Sequence, residues 1–204
     1  MNEDFKALLG EAVRFHGHLC GGQVIGVRMA MAGLRELGIK EPRGKEGRDL
    51  VIFVEIDRCP VDAIIAVTGR TPGRRSIKMM DYGKQAATFV DAGASRAVRV
   101  SVKTGCFEKA ALIARTLAGF QDEQQALYEA LAAMDEEELL SIRRVSVAIE
   151  PRDLPGEALQ TVVCQKCGET VKDMRQVGGN GLILCKPCAL GLCYYKEIPS
   201  ETDA

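Results

Sequence analysis

LVIFVEIDRCPVDAIIAVTG, residues 50–69, joins two kinds of structure. Its first seven residues, 50–56, are rich in β-branched and aromatic side chains and lie between Asp49 and Asp57, which predicts a central strand. Pro60 then suits the first position of a short helix, where its missing N–H costs nothing, and this puts Cys59 at or next to the helix N-cap. A strand running straight into a helix asks for an α+β architecture.

Towards the N-terminus, a short first helix capped by Asn2 or Asp4 is expected, with Phe5, Leu8, Leu9 and Ala12 on one face and a stop near His16. QVIGVRMAMAGLREL, residues 23–37, has helical spacing, ends at Gly38 and is apolar enough to be buried on several sides. A charged loop, 39–49, leads back to the strand.

Towards the C-terminus, the loop 68–75 carries Arg70, Arg74 and Arg75. Residues 77–102 read as consecutive strands, interrupted at Tyr82-Gly83 and at 92–95. From Phe107 to Leu140 the pattern is helical, broken near Gly119 and again near Asp135, and 143–150 reads as a last strand. The two prolines of EPRDLPGEA, 150–158, mark a linker. We therefore expect an α+β core over residues 1–150, with helices packed on a mixed or antiparallel sheet, and a small module over residues 160–204.

Charge narrows the partners. Residues 1–150 hold 21 Lys+Arg against 21 Asp+Glu, and residues 151–204 hold 6 against 7. Nucleic-acid affinity comes largely from neutralising phosphates, so a neutral body with a slightly acidic tail argues against DNA or RNA. Aromatic residues make up 5% and Trp is absent, which leaves few stacking platforms. No apolar run approaches about 18 residues, and MNEDFKALLGEAVRF lacks a secretory apolar stretch, so a cytoplasmic protein without membrane contact is expected. Eight cysteines in such a chain point to metal ligands or reactive thiols rather than disulfides.

Four of them, Cys164, Cys167, Cys185 and Cys188, read C-x2-C-x17-C-x2-C, the spacing of structural zinc sites. Two residues between paired thiolates let a tight turn, helped by Gly168, aim both sulfurs at one ion, and 178–181 (GGNG) lets the intervening hairpin reverse. A module with so few large apolar side chains needs metal to fold. The ribbon-like spacing favours zinc, with iron as the alternative ion. Cys193 is expected to be a buried, unliganded fifth thiol.

The chain's only histidines stand in RFHGHLCGG, residues 14–22. If this stretch is extended, His16, His18 and Cys20 project to one face; if it ends a helix, His16 and Cys20 still share one. Cys59 is the natural fourth member of a core metal or redox site. At a helix N-terminus its thiolate is favoured, making it a ligand or a nucleophile. Asp81, Tyr82 and Lys84 form a polar break that is either a hydrogen-bonded turn or a set of proton-transfer groups, with Asp81 and Lys84 as the catalytic candidates beside Cys59. Cys106 reads as core packing or a helix start. The arginine loop is either a solvated surface or an anion site.

Taken together, FHGHLCGGQVIGVRMA, VEIDRCPVDAIIAVTG, the DYGKQAATF segment and the terminal four-cysteine module resemble the FmdE family, named for its place in molybdenum or tungsten formylmethanofuran dehydrogenase, over nearly the whole chain. The resemblance implies an α+β core, a homodimer, and a zinc-ribbon-like or treble-clef-like C-terminal module. It also implies association with redox-complex subunits: in the parent enzyme carbon dioxide is reduced onto methanofuran, with the pterin–metal chemistry in other subunits. Members also stand alone where that pathway is absent. Where the family commonly reads T-G-C-T-x-G-K, this chain has Arg70 in place of the cysteine, so no third sulfur is available there; His16, His18, Cys20 and Cys59 are unaffected.

The expected function is a metal-binding accessory or stand-alone protein of one-carbon redox metabolism, with a zinc in the tail and a second metal in the core. Whether it turns over a substrate is left open. The other reading is a regulatory or interaction module, with the zinc tail docking a protein and the core sensing a ligand.

Overall fold

The computed structural model describes residues 3–117, 122–157, 159–179, 181–196 and 198. The chain divides into two units, Met1–Pro155 and Gly156–Ala204. The first is an α+β layer structure and the second a small four-cysteine module.

The sheet of the first unit grows from the stretch that changes character at Asp57. Strand β1 (Leu50–Val54) is its second strand, in the order β2-β1-β3-β4-β5, with β2 at Ile77–Met79, β3 at Ala86–Asp91, β4 at Arg96–Val102 and β5 at Leu140–Val145. β1 and β2 are parallel and every other pair is antiparallel, so the sheet is mixed. β5 begins earlier and ends sooner than the expected 143–150: it pairs with β4 only from Leu140 opposite Val102 to Val145 opposite Ala97. Past Val145 the first residue of β4 is all that remains, and the ladder stops.

Across the sheet, Ile52, Phe89 and Val98 stand in one cross-strand row, fully buried. Against this face lies helix α2 (Gly21–Leu37), which approaches β3 so closely that a Cβ on Gly33 would fall 2.3 Å from the Phe89 ring. Helices α1 (Glu3–His16), α3 (Pro60–Thr68) and α5 (Glu123–Ala133) pack around α2, and α4 (Cys106–Ala114) packs on α5. α2 is thus buried on several sides, as its apolar sequence requires, and Gly38 ends it in the left-handed conformation (φ 71°) that glycine adopts without strain. The break expected at Gly119 and the Asn2 cap lie outside the described residues. At Asp135 the helical run does break, and Glu136–Leu139 forms one further turn, α6.

The arginine loop is partly buried and partly solvated. Arg70 is buried and its Nη1 donates to the Gly47 carbonyl at 2.8 Å, and Arg75 donates to the carbonyl of Arg152. Arg74 is the exposed one, in a 3-10 turn whose Thr71 hydroxyl accepts from its backbone N–H. The Arg75 bond and a Lys78–Asp153 ion pair tie the start of the expected linker to the first unit. Among the described residues no helix is long and apolar enough to cross a membrane.

In the second unit, β6 (Thr161–Val163) pairs with β7 (Thr170–Lys172), β8 (Val177–Gly179) pairs with β9 (Leu182–Leu184), and a short helix, α7 (Lys186–Leu190), follows. The hairpin over the glycine-rich stretch is present, although Asn180 lies outside the described residues. Cys164 and Cys185 are the only buried residues among those described in this unit; Val163, Leu182, Ile183, Leu190 and Tyr194 are exposed.

Candidate metal centres

Neither backbone expected for the histidine stretch is found. α1 ends at His16, Gly17 turns the chain with φ 99°, and Cys20 is extended at the N-cap of α2. Cys59 caps α3, with Pro60 in the first helical position. The two helix starts meet because α2 opens with small residues. A Cβ on Gly22 would lie 2.7 Å from the Cys59 Cβ, and one on Gly26 would lie 2.6 Å from both the Ala63 Cβ and the Pro60 carbonyl oxygen. Only glycine permits that approach.

The result is a cluster. One ligating atom each of His16, Cys20 and Cys59 falls within 4.8 Å of the others, and all three side chains are half-buried. The His16 Nδ1 hydrogen-bonds the Asp62 carboxylate at 2.7 Å, and its Nε2 is buried without a hydrogen-bond partner. A carboxylate on one ring nitrogen fixes the tautomer that leaves the other nitrogen as a lone-pair donor, the arrangement usual for metal-bound imidazole. Gln23, fully buried, donates to the Cys59 carbonyl at 2.7 Å and holds that residue against α2.

His18 does not join the cluster. It is exposed, one residue past the turn at Gly17, with its ring centroid 4.6 Å from that of His16. Asp81 and Lys84 are exposed on the loop after β2, where the backbone N–H groups of Tyr82 and Lys84 both donate to the Glu55 carbonyl. This hangs the loop from the end of β1 that leads to Cys59, but Asp81 is not among the gathered ligating atoms.

The expectation that the helix start would acidify Cys59 is corrected. Burial, then the adjacent Cys20 sulfur, push the Cys59 thiol above its ordinary value. Desolvation and a like-charged neighbour outweigh the helix dipole, so the metal-free thiol keeps its proton and is a poor free nucleophile. Cys106 is buried at the start of α4 and serves both structural roles expected of it.

In the second unit the sulfurs of Cys164, Cys167, Cys185 and Cys188 lie within 4.8 Å of one another, with Cys167 and Cys185 3.8 Å apart. Thiolates about 2.3 Å from a tetrahedral zinc are separated by about 3.8 Å, so the cage has the right size. Backbone N–H groups of Cys167 and Cys185 lower the Cys164 thiol to about 6, while hydrogen bonding to Cys185 pushes Cys188 up to about 12. Four crowded sulfurs cannot all ionise alone, and a divalent cation removes that conflict. Cys193, expected to be buried, is exposed, because Gly191 ends α7 and the chain then runs over the surface.

Asp62 and Gln23 are the residues near the core cluster to which the sequence assigned no role. Asp62 had a signal, an acid in the first turn of the helix that Cys59 caps, but its partner His16 is 46 residues away. Gln23 was visible only as a polar residue opening an apolar helix.

The fold and clusters define a class: an α+β protein with a three-donor His/Cys core cluster and a four-cysteine module. Residues 15–141 match the family model described as "FmdE, Molybdenum formylmethanofuran dehydrogenase operon", and the chain belongs to this family. A "Probable S-adenosyl-L-methionine-binding protein" of Archaeoglobus fulgidus is 30% identical over 199 residues, covering 89% of this chain and 52% of that one. The chain therefore spans about half the length of this curated relative. A solved structure described as a tungsten formylmethanofuran dehydrogenase FmdE-like protein from Syntrophus aciditrophicus superposes with a TM-score of 0.62 at 20% identity, covering 94% of this chain and 95% of that one. At that identity the likeness concerns the fold.

Proposed function

We propose that this protein is a two-metal accessory or stand-alone protein of formylmethanofuran dehydrogenase-type one-carbon redox metabolism. The tail holds a structural zinc on Cys164, Cys167, Cys185 and Cys188. The core holds a second ion on His16, Cys20 and Cys59. The observation that carries the core site is the His16 ring: Asp62 takes one nitrogen, and the other is buried without a partner beside two thiols. Four thiolates close a coordination sphere, as structural sites do, whereas three donors leave a position open, as catalytic sites do.

An ion in the core would supply Lewis acidity at that open position. The chain's own residues set the rest. Asp62 orients His16, Gln23 holds Cys59, and Gly22 and Gly26 let the two helix starts close on each other. Asp81 and Lys84, on the loop after β2 that hangs from the Glu55 carbonyl, are assigned to proton handling rather than to the ion. A second copy of the chain and redox-complex subunits are the partners this assignment implies, in the cytoplasm.

Metal analysis tests the reading. Two equivalents per chain are expected, one of them lost in a His16→Ala/Cys20→Ser variant that keeps its circular dichroism. A single equivalent that depends only on the tail cysteines would overturn the core site. The alternative, a ligand sensor docked through its zinc tail, is favoured by the name of the Archaeoglobus relative. Saturable S-adenosyl-L-methionine binding without turnover would favour it.

A further inference from the structure

Arg70 is a buried cation with no acid beside it. It stands 8% exposed at the end of α3, where Gly69 leads the chain out of the helix in the left-handed conformation. The Thr68 hydroxyl holds its backbone N–H at 3.2 Å, and its Nη1 donates to the Gly47 carbonyl at 2.8 Å. That last bond uses one of the five N–H donors of a guanidinium. Nε is buried without a hydrogen-bond partner, and Nη2, which makes no hydrogen bond among the described residues, is the nitrogen left to face solvent.

A carbonyl oxygen satisfies a donor but does not neutralise a charge. The guanidinium stays protonated throughout the range in which proteins fold, so a buried one is either answered by an anion or destabilises the fold. The neighbouring Arg43, whose stem packs against Gly69, is answered by Glu11. Arg70 and Arg74 have no carboxylate within ion-pair distance among the described residues. Burial, then the like charge of Arg74, lower the Arg70 guanidinium from its ordinary value.

We propose that Arg70 and Arg74 form an anion site for a phosphate group, free or carried as a phosphomonoester. Two unanswered guanidinium groups match the charge of a phosphate dianion, and their planar forks suit its oxygens better than an ammonium would. The loop that carries them is built beforehand. Thr71 donates its N–H to the Ser76 hydroxyl, Ser76 returns its hydroxyl and its N–H to the Thr71 carbonyl, and the Arg74 N–H binds the Thr71 hydroxyl. A Cβ on Gly73 would meet nothing within 4 Å, so the loop between the two arginines is uncovered. The anion rests on Nη2 of Arg70, the solvent-facing end of the buried side chain, with the exposed Arg74 as its second arm. This site lies at the opposite end of α3 from Cys59 and requires no ion in the core.

Calorimetric titration of orthophosphate into the full chain at fixed ionic strength tests the site. The wild type is expected to bind one phosphate per chain. Arg74→Gln, a change at an exposed position, and Arg70→Lys, which keeps the charge and loses the fork, are each expected to weaken binding about tenfold. Arg144→Gln removes the same charge from an exposed position on β5 and is expected to leave binding unchanged. Phosphate is also expected to raise the melting temperature of the wild type and not that of Arg70→Met; if Arg70→Met fails to fold, the other two variants decide. Glycerol phosphate titrated alongside separates the sources: binding at least as tight as that of orthophosphate identifies a phosphomonoester, and its exclusion identifies the free ion. Absence of saturable binding to the wild type would overturn the site, as would equal weakening by Arg144→Gln, which reports only general charge attraction. Binding left intact by Arg74→Gln and Arg70→Lys would also overturn it. So would binding lost in His16→Ala/Cys20→Ser, which places the anion on the core ion instead.

Discussion

Asp62 and Glu55 show two uses of one carboxylate. Asp62 holds His16 by one nitrogen and thereby presents the other to the cysteines. Its replacement by Asn keeps the shape and removes the charge, and core metal affinity is expected to fall roughly 10–100-fold in a chelator competition, with the tail equivalent retained. Glu55, almost fully buried, makes a two-pronged ion pair with Arg99 at 2.7 and 2.8 Å, tying the end of β1 to β4. Hydrogen bonding to Arg99 holds its carboxyl below the usual carboxylate range. A depressed folded-state pKa means the stabilisation is complete above the unfolded value, about 4.3, and fades as acidification proceeds through the lower folded one. Glu55→Gln is therefore expected to lose about 1–3 kcal/mol in denaturant melts at pH 7 and to flatten the loss of stability seen below about pH 5. An unchanged pH profile would assign the acid sensitivity elsewhere.

Helices α2 and α3 meet through glycine, and their contact is what assembles the cluster. Gly26→Ala places a methyl 2.6 Å from the Ala63 Cβ and from the Pro60 carbonyl oxygen, backbone that cannot yield cheaply. Overpacking of this kind costs about 1–3 kcal/mol. The expected outcome is a lowered melting temperature together with core metal occupancy below one equivalent, because separating the helices also separates Cys20 from Cys59. Retained metal with lowered stability would show that the cluster tolerates the displacement. The helices themselves were readable: the apolar run 23–37, Pro60 after Cys59 and Gly38 at the stop all act locally. The last strand was misplaced at both ends because its limits are set by β4, its pairing partner, and not by its own residues.

The two units of the molecule differ in what makes them fold. Residues 1–155 enclose a continuous apolar cluster, whereas the described part of the second unit buries only Cys164 and Cys185. Chelation is expected to collapse the amide NMR signals of residues 159–196 while those of the sheet and of α2 persist. Survival of the tail signals without metal would mean that its hairpins suffice. Much of this organisation was visible in the sequence alone: the α+β class, the four-cysteine cage and the zinc-type spacing. Spacing and period are properties of neighbours along the chain, and those features depend on little else. The tertiary structure decided the rest. His18 is left outside the three-donor cluster beyond the turn at Gly17, Nη1 of Arg70 is spent on the Gly47 carbonyl, and the helix start carrying Cys59 and Asp62 meets His16 and Cys20 from about 40 residues away along the chain. Such contacts arise from helices approaching at particular surfaces, which no local pattern of residues encodes.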